Sequence, residues 1–365
     1  VTEATQTKPK HVMMMAAGTG GHVFPALAVA KELQQQGVQV SWLATPAGME
    51  NRLLKNHNIP IYQIDIQGVR GNGVVRKLLA PLKILKATLS AMRYMKQLNI
   101  DAVAGFGGYV AGPGGLAARA LGIPVIIHEQ NAIAGFTNTQ LSRIAKTVCQ
   151  AFPDTFAESA KIVTTGNPVR KEITEILNPS WRYQEREKVA KPLQILIVGG
   201  SLGAQALNER VPEALKQLNV PMRIFHQCGQ NHQDATQARY SDAPVTLQVE
   251  VQPFIEDMAK AYSDADLIIC RAGALTVTEI ATAGVAAVFV PLPSAVDDHQ
   301  TANAKFLAGI NAAKICPQAS MTVDHLKELL TPLMNRQLLS EMAVKARQKA
   351  QPDATQHVVR LIQEL

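Results

Sequence analysis

His22 closes the stretch Gly18-Thr19-Gly20-Gly21-His22, a titratable imidazole at the mouth of a glycine-rich turn. An apolar run, residues 11–17, leads into it and reads as a buried strand. A helical pattern (Ala26, Leu27, Ala30, Leu33) follows at once. Glycine lets the chain turn sharply and lets a ligand approach bare backbone. The first amides of such a helix lack intrahelical partners and point outward with the positive end of the dipole, where phosphates bind. A neutral imidazole at that position can accept a proton near pH 7. A second corner, Gly199-Gly200-Ser201-Leu202-Gly203, follows the apolar run 193–198. A third, Arg271-Ala272-Gly273-Ala274, follows the run LIIC and leads to Leu275, Thr276, Val277, Thr278 and Glu279. Small residues there admit a diphosphate against a helix start, and Glu279, about one turn in, can accept hydrogen bonds from both hydroxyls of a ribose.

Other polar clusters sit where strands should end. Residues 105–115 (GFGGYVAGPGG) hold six glycines in eleven positions, which suits a backbone cradle for an anionic or bulky group. His128-Glu129-Gln130-Asn131 leaves the run IPVII. Four polar side chains at a buried strand's exit need partners, and a ligand is the favoured one. Asp297-Asp298-His299-Gln300 precedes a helix containing Asn303, and its polar groups are placed to read sugar hydroxyls. Asp264-Ala265-Asp266 imitates an acid-x-acid metal motif but comes before its strand, at the wrong sheet edge, so no metal is assigned to it. A nicotinamide dinucleotide is disfavoured, because neither second strand (Trp42-Leu43-Ala44-Thr45, Phe225-His226-Gln227) ends in the acid that would hold its ribose.

These corners and clusters need a scaffold of some size. The 365 residues exceed what one hydrophobic core usually serves, so two domains are expected. The chain is 47% apolar with 5% aromatics, which suits α/β layers. Strands are expected at 11–17, 38–44, 60–65, 101–105, 124–128 and 146–151, with helices between. The pattern restarts with strands at 193–198, 222–227, 245–250, 266–270, 286–290 and 312–315. Continuous apolar runs such as IPVIIHE indicate parallel strands buried on both faces. The hinge is expected at Thr165–Val169 rather than in the polar stretch from Asn178 to Pro192. The boundaries that follow are 1–166 and 167–349, with a last helix near 350–365 packing on the first domain and Asp353 as its N-cap. Four scattered cysteines without a CxxC read as reduced core residues of a cytosolic protein.

Net charge is +7, which favours acidic partners. Nucleic acid is disfavoured, since basic and aromatic residues do not interleave and no reader module is recognisable. The positive charge concentrates instead between Ile66 and Ile100, with seven basic residues and no acidic one. Leu78, Leu82, Leu85, Leu89 and Met92 share one helical face there. One reading packs that face on the core. The other rests it on anionic lipid, with Arg76, Lys77, Lys83 and Lys86 as its basic contacts.

GTGGHVFP, GFGGYVAGPGG, HEQN, GNPVR, GGSLGA, RAGALTVTE and DDHQTANA, in this order from about Val12 to the end of the chain, resemble the motif set of the MurG family. The resemblance implies a GT-B fold: two Rossmann-like, doubly wound α/β domains facing a central cleft. It implies transfer of GlcNAc from UDP-GlcNAc to the C4 hydroxyl of the muramyl sugar in lipid I, giving lipid II with inversion and with neither metal nor cofactor. It places Thr19, Gly20, Gly21, Asn131, Arg170 and Ser201 on the donor, Ile255 on the uracil through its backbone, Ala274 to Glu279 on diphosphate and ribose, and Gln300 on the GlcNAc hydroxyls. Gly107, Gly108, Tyr109 and Gly114 are assigned to the acceptor. His22 is the first choice for the base, with Glu129 as its rival or as an orienting group. The expected setting is peripheral, on the cytoplasmic face of the inner membrane, beside other cell-wall synthesis proteins. Another GT-B UDP-sugar transferase with a different acceptor is the alternative.

Overall fold

The computed structural model describes residues 9–66, 74–200, 203–293 and 298–365, without the side chains of 74–79. Two compact units divide the chain: Val1–Val169 with Pro352–Leu365, and Arg170–Gln351. The division falls at the end of the GNPV turn.

In the first unit seven parallel strands form one sheet: β1 His11–Ala16, β2 Gln39–Ala44, β3 Ile61–Gln63, β4 Ala102–Gly107, β5 Val125–Glu129, β6 Thr147–Gln150 and β7 Ile162–Thr164. Their order is β3-β2-β1-β4-β5-β6-β7. β7 is an edge strand that the sequence reading lacks. β1 is buried along its whole length, and its alternate residues feed two cores. Val12, Met14 and Ala16 pack with helix Gly20–Gln35 and with Val358, Val359 and Ile362 of the last helix, Ala354–Gln363. Met13 and Met15 pack on the other face with Ala87, Ala91 and Met95 of helix Val74–Gln97. Asp353 occupies the N-cap position of the last helix, but its side chain makes no capping hydrogen bond.

The second unit repeats the plan with β8 Leu193–Val198, β9 Met222–Gln227, β10 Leu247–Gln252, β11 Leu267–Cys270, β12 Ala286–Phe289 and β13 Ala313–Ile315. The order is β10-β9-β8-β11-β12-β13, again all parallel. The stretch that imitates a linker is helix Pro179–Lys188, capped by the Asn178 side chain. It is built into this unit: Arg182 donates to the Ala283 and Gly284 carbonyls, and Arg186 pairs with buried Asp266 at 2.6 Å. Asp266 also meets Arg336 at 3.3 Å and accepts from the Gln194 amide, so its role is to tie elements together.

In each sheet the winding direction reverses beside the first strand, between β1 and β4 and between β8 and β11. Ligands of open α/β sheets gather at such switch points, beyond the carboxyl ends of the strands. Gly18, Gly107, Gly199 with Gly200, and Gly273 each stand at or just beyond the carboxyl end of one of those four strands. The four cysteines are free and buried. Among the described residues no helix is long and apolar enough to cross a membrane.

Buried His226 shows how finely this unit is balanced. Its Nε2–H donates to Asn208 Oδ1 at 3.1 Å, and the Tyr240 hydroxyl donates to its Nδ1 at 3.0 Å. Burial pushes its pKa down from 6.5 to about 3. The neutral ring's contribution is therefore complete above 6.5 and is lost as pH falls from there towards 3, because only the unfolded chain takes up the proton. Urea midpoints should fall between pH 7 and pH 4.5, and His226→Gln should flatten that slope. An unchanged slope would remove His226 from the account.

Candidate active site

β1 runs out into Ala17 and Gly18, and helix Gly20–Gln35 starts with Thr19 at its N-cap, without a side-chain cap. The His22 amide donates to the Thr19 carbonyl at 3.1 Å, and the Gly20 and Gly21 amides ahead of it have no side-chain cap. Gly18 has φ +97°, a left-handed conformation that favours glycine. His22 is half-buried one turn in. The corner after β4 presses against it. A Cβ on Gly107 would lie 2.9 Å from His22 Nδ1, and one on Gly108 would lie 2.1 Å from the Ala17 carbonyl oxygen. These two glycines are needed for the two corners to touch. Tyr109 beside them is exposed. Gly114 departs from its assignment to the acceptor. It is buried in helix Ala111–Ala120, where a Cβ would meet Met15 Sδ at 2.3 Å, so its role is packing.

The His128–Asn131 cluster is a second departure: its members largely satisfy one another. Glu129 is buried and takes four N–H donors. Oε1 accepts from the Asn131 amide at 3.0 Å and its Nδ2 at 3.2 Å; Oε2 accepts from the Gly135 amide at 3.0 Å and Asn138 Nδ2 at 2.9 Å. A carboxylate offers about four acceptor sites, so Glu129 holds the Asn131 loop and has none left for a substrate proton. Gln130 bridges the other pair. Its Oε1 lies 2.9 Å from His22 Nδ1, and its Nε2 lies 3.1 Å from His128 Nδ1.

In the second unit, helix Ala274–Ala283 begins behind Gly273 with no side-chain cap and no acid in its first turn. That end suits a diphosphate. Leu275 and Thr276 are partly exposed at it. Ala274 is almost buried, and Val277 and Thr278 turn inward: Val277 is a core residue and the Thr278 hydroxyl donates to the Ala274 and Leu275 carbonyls. Direct side-chain contact with a donor therefore does not fit Val277 or Thr278. Glu279 is buried. Its Oε1 accepts from Arg170 Nε at 3.1 Å and from a terminal nitrogen at 2.9 Å, and its Oε2 accepts from the Tyr262 hydroxyl at 3.0 Å. Burial pushes the carboxyl up, while Arg170 and Tyr262 hold its charged form. Two residues assigned separately to the donor are thus joined, Arg170 and Glu279. Tyr262, seventeen positions before Glu279, carries no sequence signal that would announce it.

Gln227 at the end of β9 is likewise unannounced. It accepts from the Gly200 amide at 3.0 Å and donates to the Gly200 and Pro253 carbonyls at 3.0 and 2.8 Å, clamping the corner after β8. Ser201 of that corner lies outside the described residues. Ile255 is buried just beyond the Pro253 carbonyl so engaged. Gln300 Oε1 accepts from the Ala272 and Leu292 amides at 3.2 and 2.9 Å, so its NH2 end is the one that can donate to a sugar oxygen. Asn303 donates to the Ala272 carbonyl and Arg271 to the Val290 carbonyl, fixing the same corner.

The comparisons with known proteins agree along the whole chain. Residues 12–150 match the glycosyltransferase family 28 N-terminal domain, and residues 194–358 match the family 28 C-terminal domain. A protein of Acinetobacter baumannii (strain AYE) is 79% identical over 365 residues, all of both chains. It is named UDP-N-acetylglucosamine--N-acetylmuramyl-(pentapeptide) pyrophosphoryl-undecaprenol N-acetylglucosamine transferase. A protein of the same name from Psychrobacter cryohalolentis is 52% identical, covering 97% of this chain and 99% of its own. The crystal structure of Acinetobacter baumannii MurG superposes with a TM-score of 0.88 at 77% identity, covering 98% of this chain and 100% of that one. The calicheamicin glycosyltransferase CalG4, at 12% identity and a TM-score of 0.65, shares the fold alone. Two parallel-sheet domains, each matched by its half of the family, make this chain a GT-B glycosyltransferase that belongs to glycosyltransferase family 28.

Proposed function

We propose that this chain transfers GlcNAc from UDP-GlcNAc to the C4 hydroxyl of MurNAc in lipid I, with inversion at the anomeric carbon. The observation that carries this is the 79% identity, end to end, with enzymes named for that transfer. In the proposed step His22 Nε2 takes the proton of the acceptor hydroxyl as its oxygen attacks the anomeric carbon. The bond from that carbon to the diphosphate oxygen breaks, and UDP leaves with the charge. Backbone amides at the start of helix Ala274–Ala283 offset that charge with fixed dipoles. Glu279, with three of its acceptor sites already taken by Arg170 and Tyr262, takes one ribose hydroxyl on Oε2, Arg170 the diphosphate, and the Gln300 NH2 group a hydroxyl of the GlcNAc. Thr19, Gly20, Gly21 and Asn131 line the sugar, and Tyr109 with Gly107 and Gly108 the acceptor. Incubation of the purified protein with UDP-GlcNAc and a lipid I analogue should release UDP stoichiometrically with lipid II. Release from UDP-GalNAc or with an unrelated acceptor instead would favour another sugar transferase.

The lipid tail of the acceptor calls for a membrane contact, and helix Val74–Gln97 supplies the support for one. Ala80, Ala87, Ala91 and Met95 make its buried side. Leu82, Leu85 and Leu89, which one reading packs on the core, are 59%, 55% and 56% exposed on the opposite side. Lys83, Lys86, Arg93 and Lys96 are exposed with them. The side chains of Arg76, Lys77 and Leu78 lie outside the described residues. Among the described residues of the helix every charge beside this apolar stripe is a cation, which fits an anionic bilayer surface, each cation near it adding about 1 kcal/mol. Lys83→Glu with Lys86→Glu should reduce sedimentation with anionic vesicles at least tenfold while soluble-acceptor turnover persists. Undiminished vesicle binding would count against this face.

A further inference from the structure

The cluster behind His22 contains a polar chain that the proposed reaction does not use, and each of its links has only one chemical solution. It begins at the Gly166 carbonyl. That oxygen lies 2.9 Å from His128 Nε2, so Nε2 must carry the hydrogen. His128 is fully buried, stacked on Phe106 at 5.3 Å, and burial pushes its pKa down to about 4. The ring is therefore neutral, and its Nδ1 is a bare acceptor. Gln130 faces it. One end of the Gln130 amide lies 3.0 Å from the His128 carbonyl oxygen and 3.1 Å from His128 Nδ1. Both are acceptors, so that end must be the NH2. The Gln130 carbonyl end is then the one that lies 2.9 Å from His22 Nδ1. An amide oxygen only accepts, so His22 Nδ1 must donate, and the lone pair of the neutral ring resides on Nε2. Asn167 donates to the Gln130 backbone carbonyl at 3.0 Å and steadies the bridge.

We propose that Gln130, locked by His128 and the Gly166 carbonyl, is a positioning residue that fixes His22 as the Nδ1–H tautomer with Nε2 bare. The inference rests on the reading of His22 as the base and says how the protein prepares it. An amide does this without charge. It orients the ring and selects its tautomer, and it adds no anion to stabilise the imidazolium that forms.

The test is long-range 1H–15N correlation of the imidazoles in the full-length, 15N-histidine-labelled protein. The His22 signals are identified by their disappearance in His22→Gln. The expected wild-type spectrum shows a protonated Nδ1 and an unprotonated Nε2; a protonated Nε2, or a mixture, overturns the proposal, and unshifted signals of the other histidines in His22→Gln certify that the variant used for assignment is folded. Gln130→Met should give a mixture of tautomers and lower kcat about tenfold, less than the 10²–10⁴ that a general base contributes in full, with the donor KM within twofold. A single Nδ1–H tautomer with wild-type kcat in that variant would also overturn the proposal. A mixed tautomer with unchanged kcat would uphold the positioning and remove His22 as base. A wild-type Nε2–H tautomer alongside an inactive His22→Ala would do the reverse.

Discussion

His22→Ala is expected to lower kcat by about a hundredfold to ten-thousandfold, the range of a lost general base. The donor KM should hardly move, because the residues assigned to nucleotide and ribose lie on other elements. The geometry supports an effect of this size. His22 sits at the corner after β1, in van der Waals reach of the bare Gly107 backbone, with its Nδ1 engaged by Gln130. Glu129, the nearest alternative, has both oxygens committed to four N–H groups and is not available to take over. The measurement is UDP release at saturating donor with a lipid I analogue, beside a thermal melt that matches the wild type. Near-normal turnover in a folded protein would sink the assignment.

Glu279→Ala is expected to weaken UDP binding by about thirtyfold or more. Hydrogen bonds to a charged group contribute about 1.5–3 kcal/mol, and 2 kcal/mol corresponds to roughly thirtyfold. The truncation also leaves the buried Tyr262 hydroxyl without the Glu279 oxygen it now meets at 3.0 Å, so the melting temperature should fall as well. Glu279→Gln separates the two effects. It keeps an acceptor for Tyr262 and removes the charge that holds Arg170 at 2.9 Å. Calorimetric titration with UDP should therefore show a loss in both variants, and the stability change mainly in the alanine. Unaltered UDP affinity in both would rule out the ribose role.

The scaffold was legible because parallel strands buried on both faces are written as continuous apolar runs. β8 and β9 fall where such runs stand, and most other strands begin or end within two residues of them. β7 escaped because it has three half-buried residues at a sheet edge, too few to make a run. The leucine face of helix Val74–Gln97 was readable in both directions from period alone. Its core-facing side is made chiefly of alanine, which an apolarity count ranks below Leu82, Leu85 and Leu89. The glycine corners and His22 could be found because their function is local: a turn, an open helix end, a titratable ring. Gln130's partners, Gln227's clamp on Gly200 and Tyr262's contact with Glu279 span 108, 27 and 17 positions, and no spacing rule connects them. Gly114 and Val277 show that a motif position can also be a packing position: a Cβ on Gly114 would meet Met15, and the Val277 side chain belongs to the core.

The last helix carries a consequence for biosynthesis. Val358, Val359 and Ile362 complete a core whose other residues begin at Val12, and 182 positions of the second unit, Arg170–Gln351, are threaded between them. On the ribosome the later unit has its entire sequence before the earlier one does. The usual amino-to-carboxyl order of domain maturation is thus inverted at its final step. The amino-terminal half emerges first, yet it must wait, with part of its apolar interior uncovered, until helix Ala354–Gln363 has been synthesised.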